Sequence, residues 1–328
     1  MNHKDLCEKM KKVGFIMKTK KFMTGFAALA FSAIILGACS PDENTAESSE
    51  NSSEASTSEV SESTETEESS SDVVSAASLQ DGTYTLEEKN DKNGYHAVFS
   101  LTAKDGAITD SQFDYVDADG KSKKDDDDYN TSMKEKSGIA PEEFIPKFND
   151  ELLDKQNPSN IEVVSGATHS FHSFQNYAQQ LIQAAQAGET DAIEIDNGAD
   201  LQDGTYTLEE KNYSHGYRTV FSIVVKDGKV TESDFDNVNE AGDSKKDDAD
   251  YNTSMKDQSG TNPETYIPEL NDELVQAMGE EEGTPGDVEV VSGATESSHT
   301  FVLYAQQLIN AAEKGDTETI TVDNFVSE

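Results

Sequence analysis

The sequence has no tryptophan, two cysteines and seven prolines in 328 residues, and 66 Asp and Glu outnumber 25 Lys and Arg to give a formal net charge of −41. Each shortage excludes something. A nucleic-acid binder needs a basic stripe that displaces counterions from phosphates, and this chain has none. The same acidity excludes a protein that lies flat on an anionic membrane. Cys7 precedes the single long apolar run, so cleavage behind that run leaves Cys39 as the only thiol, with no disulfide and no thiolate metal centre possible within the chain. Neither a phosphate-cradling G-x-x-x-x-G-K nor a Ser-His-Asp arrangement around a nucleophile signature is present, so nothing points to hydrolysis.

The amino-terminal part carries an address. Lys18, Lys20 and Lys21 precede the apolar run 22–37, which is too short for a comfortable membrane span and closes with Leu36-Gly37-Ala38-Cys39. Residues 1–38 read as a signal peptide, with Met17 as an alternative start; a cytoplasmic extension on a single-pass anchor is the competing reading. The closing tetrapeptide resembles the bacterial lipobox, which implies a lipidated Cys39 and a chain held at the extracellular face of the cell membrane. Residues 39–78 are dominated by Ser, Glu, Thr and Ala and lack Lys, Arg, Gly and aromatic residues. Such a segment buries too little apolar surface to offset its own ordering entropy, and its like charges extend it into a disordered tether.

Beyond the tether the chain repeats itself. LQDGTYTLEEKN starts at Leu79 and again at Leu201, DYNTSMK at Asp128 and Asp250, and YAQQLI at Tyr177 and Tyr304. This gives two tandem domains, residues 79–197 and 198–328, each in the usual domain size range. The stretch from Val275 to Asp287 is longer than its counterpart and Glu/Gly-rich, so the extra residues form a loop. Alternation over Gly82–Leu86, Tyr95–Leu101 and Ala107–Val116, with Asn93-Gly94 and Asp105-Gly106 between, predicts an antiparallel meander. Pro141–Leu153 and Pro263–Ala277 carry helical spacing, Ile161–Val164 reads as a short strand, and Phe174, Tyr177, Ala178, Leu181, Ile182 and Ala185 make one face of a final helix. Strands followed by segregated helices make the class α+β. The acidic runs at Asp125–Asp128 and Asp247-Asp248 lack calcium-loop spacing and read as solvated loops.

Val-Val-Ser-Gly-Ala-Thr occurs twice, ending at Thr168 and Thr295. In Ser165-Gly166-Ala167-Thr168, and in Ser292-Gly293-Ala294-Thr295, the glycine permits a tight bend, the alanine keeps the surface small, and the threonine presents a hydroxyl where a helix begins. Helix starts offer free N–H groups to a phosphate; equally, the hydroxyl can serve only as an N-cap. Tyr129, Asn130 and Met133, with Tyr251, Asn252 and Met255, recur intact and read either as aromatic, amide and thioether groups lining a ligand or as core filler. Gly138 and Gly260 read as helix C-caps, or as points where the backbone approaches a ligand ring. His172 and His299 stand alone, without ligand spacing, so no metal site is expected.

With Glu162 and Glu289 at its start, the repeated pattern resembles the D-x-x-(S/T)-G-A-T signature of FMN-binding domains modified by an extracellular flavin transferase, with Glu replacing Asp. The resemblance covers nearly all of both repeats. Together with the lipobox and acidic tether, it is similar to the pheromone-encoding lipoproteins of Gram-positive flavin-based extracellular electron transfer. It implies two FMN groups in phosphoester linkage to Thr168 and Thr295, with FAD as the donor. It further implies a redox carrier rather than a classical enzyme, passing electrons from a membrane quinol-linked donor to an external acceptor such as ferric iron. A cofactor-free surface binding module and a precursor of a signal-derived peptide are the competing readings.

Overall fold

The computed structural model describes residues 77–326. The signal segment, Cys39 and nearly all of the tether lie outside the described residues. Within them, the first repeat runs β1 (Gly82–Glu88), β2 (His96–Lys104), β3 (Ala107–Val116), α1 (Asp127–Ser137), α2 (Pro141–Lys155), α3 (Thr168–Ala187) and β4 (Ile193–Ile195). The second runs β5 (Gly204–Glu210), β6 (Arg218–Lys226), β7 (Lys229–Val238), α4 (Ala249–Ser259), α5 (Pro263–Ala277), α6 (Thr295–Lys314) and β8 (Ile320–Val322). The fold is α+β: two similar halves, each a four-stranded sheet with helices packed against it, in the orders β3-β2-β1-β4 and β7-β6-β5-β8. Both halves belong to one compact unit.

The meander forms where alternation and turn residues agree. Asn93 and Gly94, like Asp105 and Gly106, take positive φ in succession, the combination that lets a two-residue hairpin follow the strand twist. His215-Gly216 does the same in the second repeat, without an Asn or Asp to signal it. The inner faces meet the helices through aromatic rings: Phe174 lies 5.3 Å from Phe99 and 5.1 Å from Phe148, and Phe301 lies 4.9 Å from Phe221. Asn149 and Asn271 fasten the second helix of each repeat to the outer strand. Each amide oxygen accepts from the backbone N–H of Phe113 or Phe235, and each amide nitrogen donates to that residue's carbonyl.

Three elements depart from the sequence reading. Ile161–Val164 is not a strand: Ile161 and Val164 both face the core while Glu162 and Val163 face outward, a three-residue spacing that a pleated strand cannot produce. The fourth strand is instead Ile193–Ile195, parallel to β1. The acidic runs are not loops either. Asp126 and Asp248 cap α1 and α4 by accepting from the backbone of Tyr129 and Tyr251, and the acids that follow sit where a helix dipole favours them. Asn130 and Asn252 are the sole buried residues of these helices, so no apolar stripe betrays them. Gly138 and Gly260 are their left-handed C-caps. The lengthened stretch after α5 is a loop, as expected, ending in a 3-10 turn at Pro285–Asp287.

Candidate functional site

Thr168 and Thr295 are the first residues of the two longest helices, α3 and α6. The cap position is held by Ala167 and Ala294, both buried, and no side chain caps either helix. The threonine hydroxyls are therefore released from capping and exposed. The first backbone donors to find intrahelical acceptors are Phe171, bonded to Ala167, and Ser298, bonded to Ala294. The N–H groups of 168–170 and 295–297 precede them and have no acceptor within the helix.

The glycine of each motif fixes where this start sits. Gly166 and Gly293 both have φ of 84°, and a Cβ on either would collide with the backbone carbonyl oxygen of Ser137 or Ser259. These serines end α1 and α4, so the Ser-Gly-Ala-Thr turn is seated on the carboxyl end of the helix that carries Tyr-Asn-Thr-Ser-Met. The two recurring strings are one structural unit. Ser165 and Ser292 are exposed, as are Glu162 and Glu289 at the head of the motif. Val163 and Val290 are also exposed, the only large hydrophobics besides Phe325 to be so among the described residues.

A groove of about 940 Å³ opens beside Thr295, walled by Tyr217, Tyr251, Met255, Tyr266 and Lys245 of the second repeat and by Gln156, Asn157 and Gln175 of the first. Tyr251 and Met255 thus stand with the threonine. Asn252 does not: it is buried, donates to the carbonyl of Lys246 and accepts from the backbone of Glu264. Asn130 is spent likewise on Lys124 and Glu142. These buried amides join the turn before the helix to the helix after it. Tyr129 and Met133 are half-buried, with Met133 packed against the first core.

The sequence reading missed three lining features. Tyr95 and Tyr217 donate to the capping carboxylates Asp126 and Asp248 at 2.6 and 2.7 Å, and that bond, reinforced by burial, pushes each phenol up to about 12. Lys123 and Lys245 lie over tyrosine rings: Lys123 is 4.4 Å from the Tyr129 centroid, 4.8 Å from Tyr115 and 5.2 Å from Tyr95, and Lys245 is 4.2 Å from Tyr251 and 5.0 Å from Tyr217. Glu210 is a buried carboxylate on the groove wall, holding the Tyr304 hydroxyl at 2.7 Å and the Thr219 backbone at 2.8 Å. The doubled EEKN and YAQ strings were visible, but their meeting across a sheet–helix interface was not. His172 and His299 line no metal cluster: among the described residues no three His, Cys, Asp or Glu are grouped to hold an ion.

No protein-family model matches the chain. It is 37% identical over 122 residues to a 15 kDa lipoprotein of Treponema pallidum (strain Nichols), covering 37% of this chain and 86% of that protein. A crystal structure of a Clostridium perfringens protein is 36% identical over 36% of this chain and 97% of its own, with a TM-score of 0.34. A solution structure from Clostridium thermocellum is 23% identical over 33% of this chain and 92% of its own, with a TM-score of 0.23. No helix among the described residues is long and apolar enough to cross a membrane.

Proposed function

The chain belongs to the family of the Treponema pallidum 15 kDa lipoprotein, and from that premise we propose that it is a lipid-anchored, extracellular electron carrier bearing two covalent FMN groups, on Thr168 and Thr295. The observation that carries this reading is the doubled geometry of the Ser-Gly-Ala-Thr turn. Twice, an alanine occupies the cap position without capping, a glycine seats the turn on the preceding helix, and an exposed threonine begins the helix. A threonine kept only for helix stability would be the cap itself.

The residues present fit FMN. Free N–H groups of the first turn suit a phosphate diester on the threonine oxygen. The groove beside Thr295 falls within the ~300–1,000 Å³ typical of small-molecule pockets, and Tyr217, Tyr251, Tyr266 and Met255 offer it aromatic and thioether surface. Attachment by a flavin transferase exchanges the hydroxyl proton of the threonine for the FMN half of FAD and releases AMP. The outward-facing Glu162-Val163 and Glu289-Val290 give that enzyme an acidic and apolar handle beside each acceptor. Bound flavin supplies one- and two-electron chemistry, while the protein supplies attachment, orientation and electrostatics. Electrons enter from a membrane quinol-linked donor and leave to an outside acceptor such as ferric iron. Lipidation at Cys39 keeps the carrier in place.

The test is to co-express the chain with a flavin transferase, denature it, and read in-gel flavin fluorescence and intact mass. Two FMN increments are expected, one lost with Thr168→Ala, one with Thr295→Ala and both with the double change. A colourless band without added mass overturns the carrier in favour of a cofactor-free binding module. Loss of flavin in Ser165→Ala or Ser292→Ala but not in the threonine variants overturns the choice of acceptor.

A further inference from the structure

Each repeat carries two adjacent lysines in the 3-10 turn that precedes its first helix, and the structure gives them different duties. The second, Lys124 or Lys246, pairs with a carboxylate on the outer strand, Asp114 or Asp236, which also accepts from the serine that caps the turn. That pair fastens the turn to the sheet. The first, Lys123 or Lys245, makes no ion pair among the described residues, although the chain carries a net charge of −41. Its ammonium is half-buried over tyrosine rings at 4.2–5.2 Å.

Cation–π contact fixes such an ammonium at a cost in freedom that exposed sites repay by only ~0.5–1 kcal/mol. It does not neutralise the charge, and it leaves N–H donors unspent. The nearest capping acids do not take them. Asp248 is occupied by the Tyr217 hydroxyl at 2.7 Å and the Tyr251 backbone at 2.9 Å, and Asp126 by Tyr95 and Tyr129 in the same way. Lys245 opens onto the groove that holds Thr295. In the first repeat, Tyr115 carries the link: it stands under Lys123 and packs against the core that holds Phe171 and Phe174 of the helix begun by Thr168. An ammonium that makes no ion pair among the described residues therefore lines the groove of Thr295, and its counterpart Lys123 holds the same place over the tyrosines of the first repeat.

We propose that Lys123 and Lys245 are positioning residues that hold positive charge against the flavin ring of their own repeat and raise its reduction potential. This rests on the FMN reading above. Reduction by two electrons and one proton leaves one net negative charge on an initially neutral ring. The lysine gives up no proton. It stabilises the charged product over the neutral reactant through a low-dielectric wall of tyrosines, where a charge acts more strongly than in water.

The experiment uses the full chain, loaded by a flavin transferase, in a Thr168→Ala background so that mass spectrometry confirms a single FMN on Thr295. Redox titration followed by absorbance then compares Lys245 with Lys245→Gln and Lys245→Arg. The expected result is a potential lowered in Lys245→Gln by about a tenfold shift in the reduction equilibrium, about 30 mV for a two-electron couple, and restored in Lys245→Arg. An unchanged potential, or an equal fall in the Arg protein, overturns the proposal. The mirror variant Lys123→Gln in a Thr295→Ala background guards against a local failure. If both Gln proteins keep native circular dichroism but take up no flavin, the lysines serve attachment and the proposal falls. A parent without flavin sinks the carrier reading itself, whereas a loaded parent whose potential ignores Lys245 sinks this proposal alone.

Discussion

Tyr177 donates a 2.5 Å hydrogen bond to Glu88, tying the middle of α3 to the end of β1 through a carboxylate that is 9% exposed. Glu88 also accepts from the backbone of Ala97 at 2.7 Å, and burial beside that carboxylate pushes the Tyr177 phenol well above its usual value. Tyr304 and Glu210 repeat the arrangement. A buried carboxylate that loses one of its partners keeps its desolvation cost without its compensation. Tyr177→Phe and Tyr304→Phe should each destabilise the protein by roughly 1–3 kcal/mol, read as a lowered urea midpoint with an unchanged slope.

Gly166→Ala and Gly293→Ala should be more damaging than a surface glycine change such as Gly120→Ala. All three positions have positive φ, but only the first two meet a backbone carbonyl that cannot turn aside, whereas Gly120 faces open space. The conformational penalty alone is about 1–2 kcal/mol, and the collision adds to it. Thermal unfolding should rank the three variants in that order, and the motif variants should also lose flavin at their own site only, as judged by intact mass.

Thr168→Ala and Thr295→Ala should leave stability within about 0.5 kcal/mol of the parent in unflavinylated protein. Neither hydroxyl caps its helix and both residues are exposed. A loss near 1 kcal/mol, the usual worth of an N-cap, would show that the threonines serve the helix after all. Unfolding of protein made without a transferase measures this apart from any cofactor.

Much of this was legible in the chain, for definite reasons. The meander announced itself because β2 and β3, like β6 and β7, alternate and are joined by Asp105-Gly106 and Asp227-Gly228, a signal local in sequence. The doubled Thr168 and Thr295 stood out because repetition separates a motif from chance. What stayed hidden was non-local or unpatterned. α1 and α4 bury one residue each and leave no stripe. β4 and β8 are three residues long and pair in parallel with strands more than a hundred residues away in sequence. Asn130 and Asn252 recur because they are structural staples, so recurrence alone did not distinguish a ligand from a fastening. No sequence pattern sets Lys123 and Lys245 apart, because the tyrosines beneath them are brought there by the fold.

The seam between the two repeats carries a pH dependence. Asn176 on α3 donates to Asn310 on α6 at 2.7 Å, and nearby His172 lies against Gly286 of the second repeat. Burial, with His169 on its own helix and His299 on α6, lowers the His172 imidazole from 6.5 to about 4, opposed only by Asp287 in the facing turn. A histidine depressed in this way binds fewer protons folded than unfolded, so stability rises with pH across that interval. The contribution is complete above the unfolded value of 6.5 and is lost as the pH falls toward 4. It should amount to something on the order of 2 kcal/mol. Many carboxylates titrate in the same range, so the informative quantity is a difference. The parent should lose more stability than His172→Gln between about pH 7 and about pH 4 in urea unfolding, because glutamine fills a similar space without a proton to gain. Equal losses in the two proteins would place the acid sensitivity in the carboxylates and not in the seam.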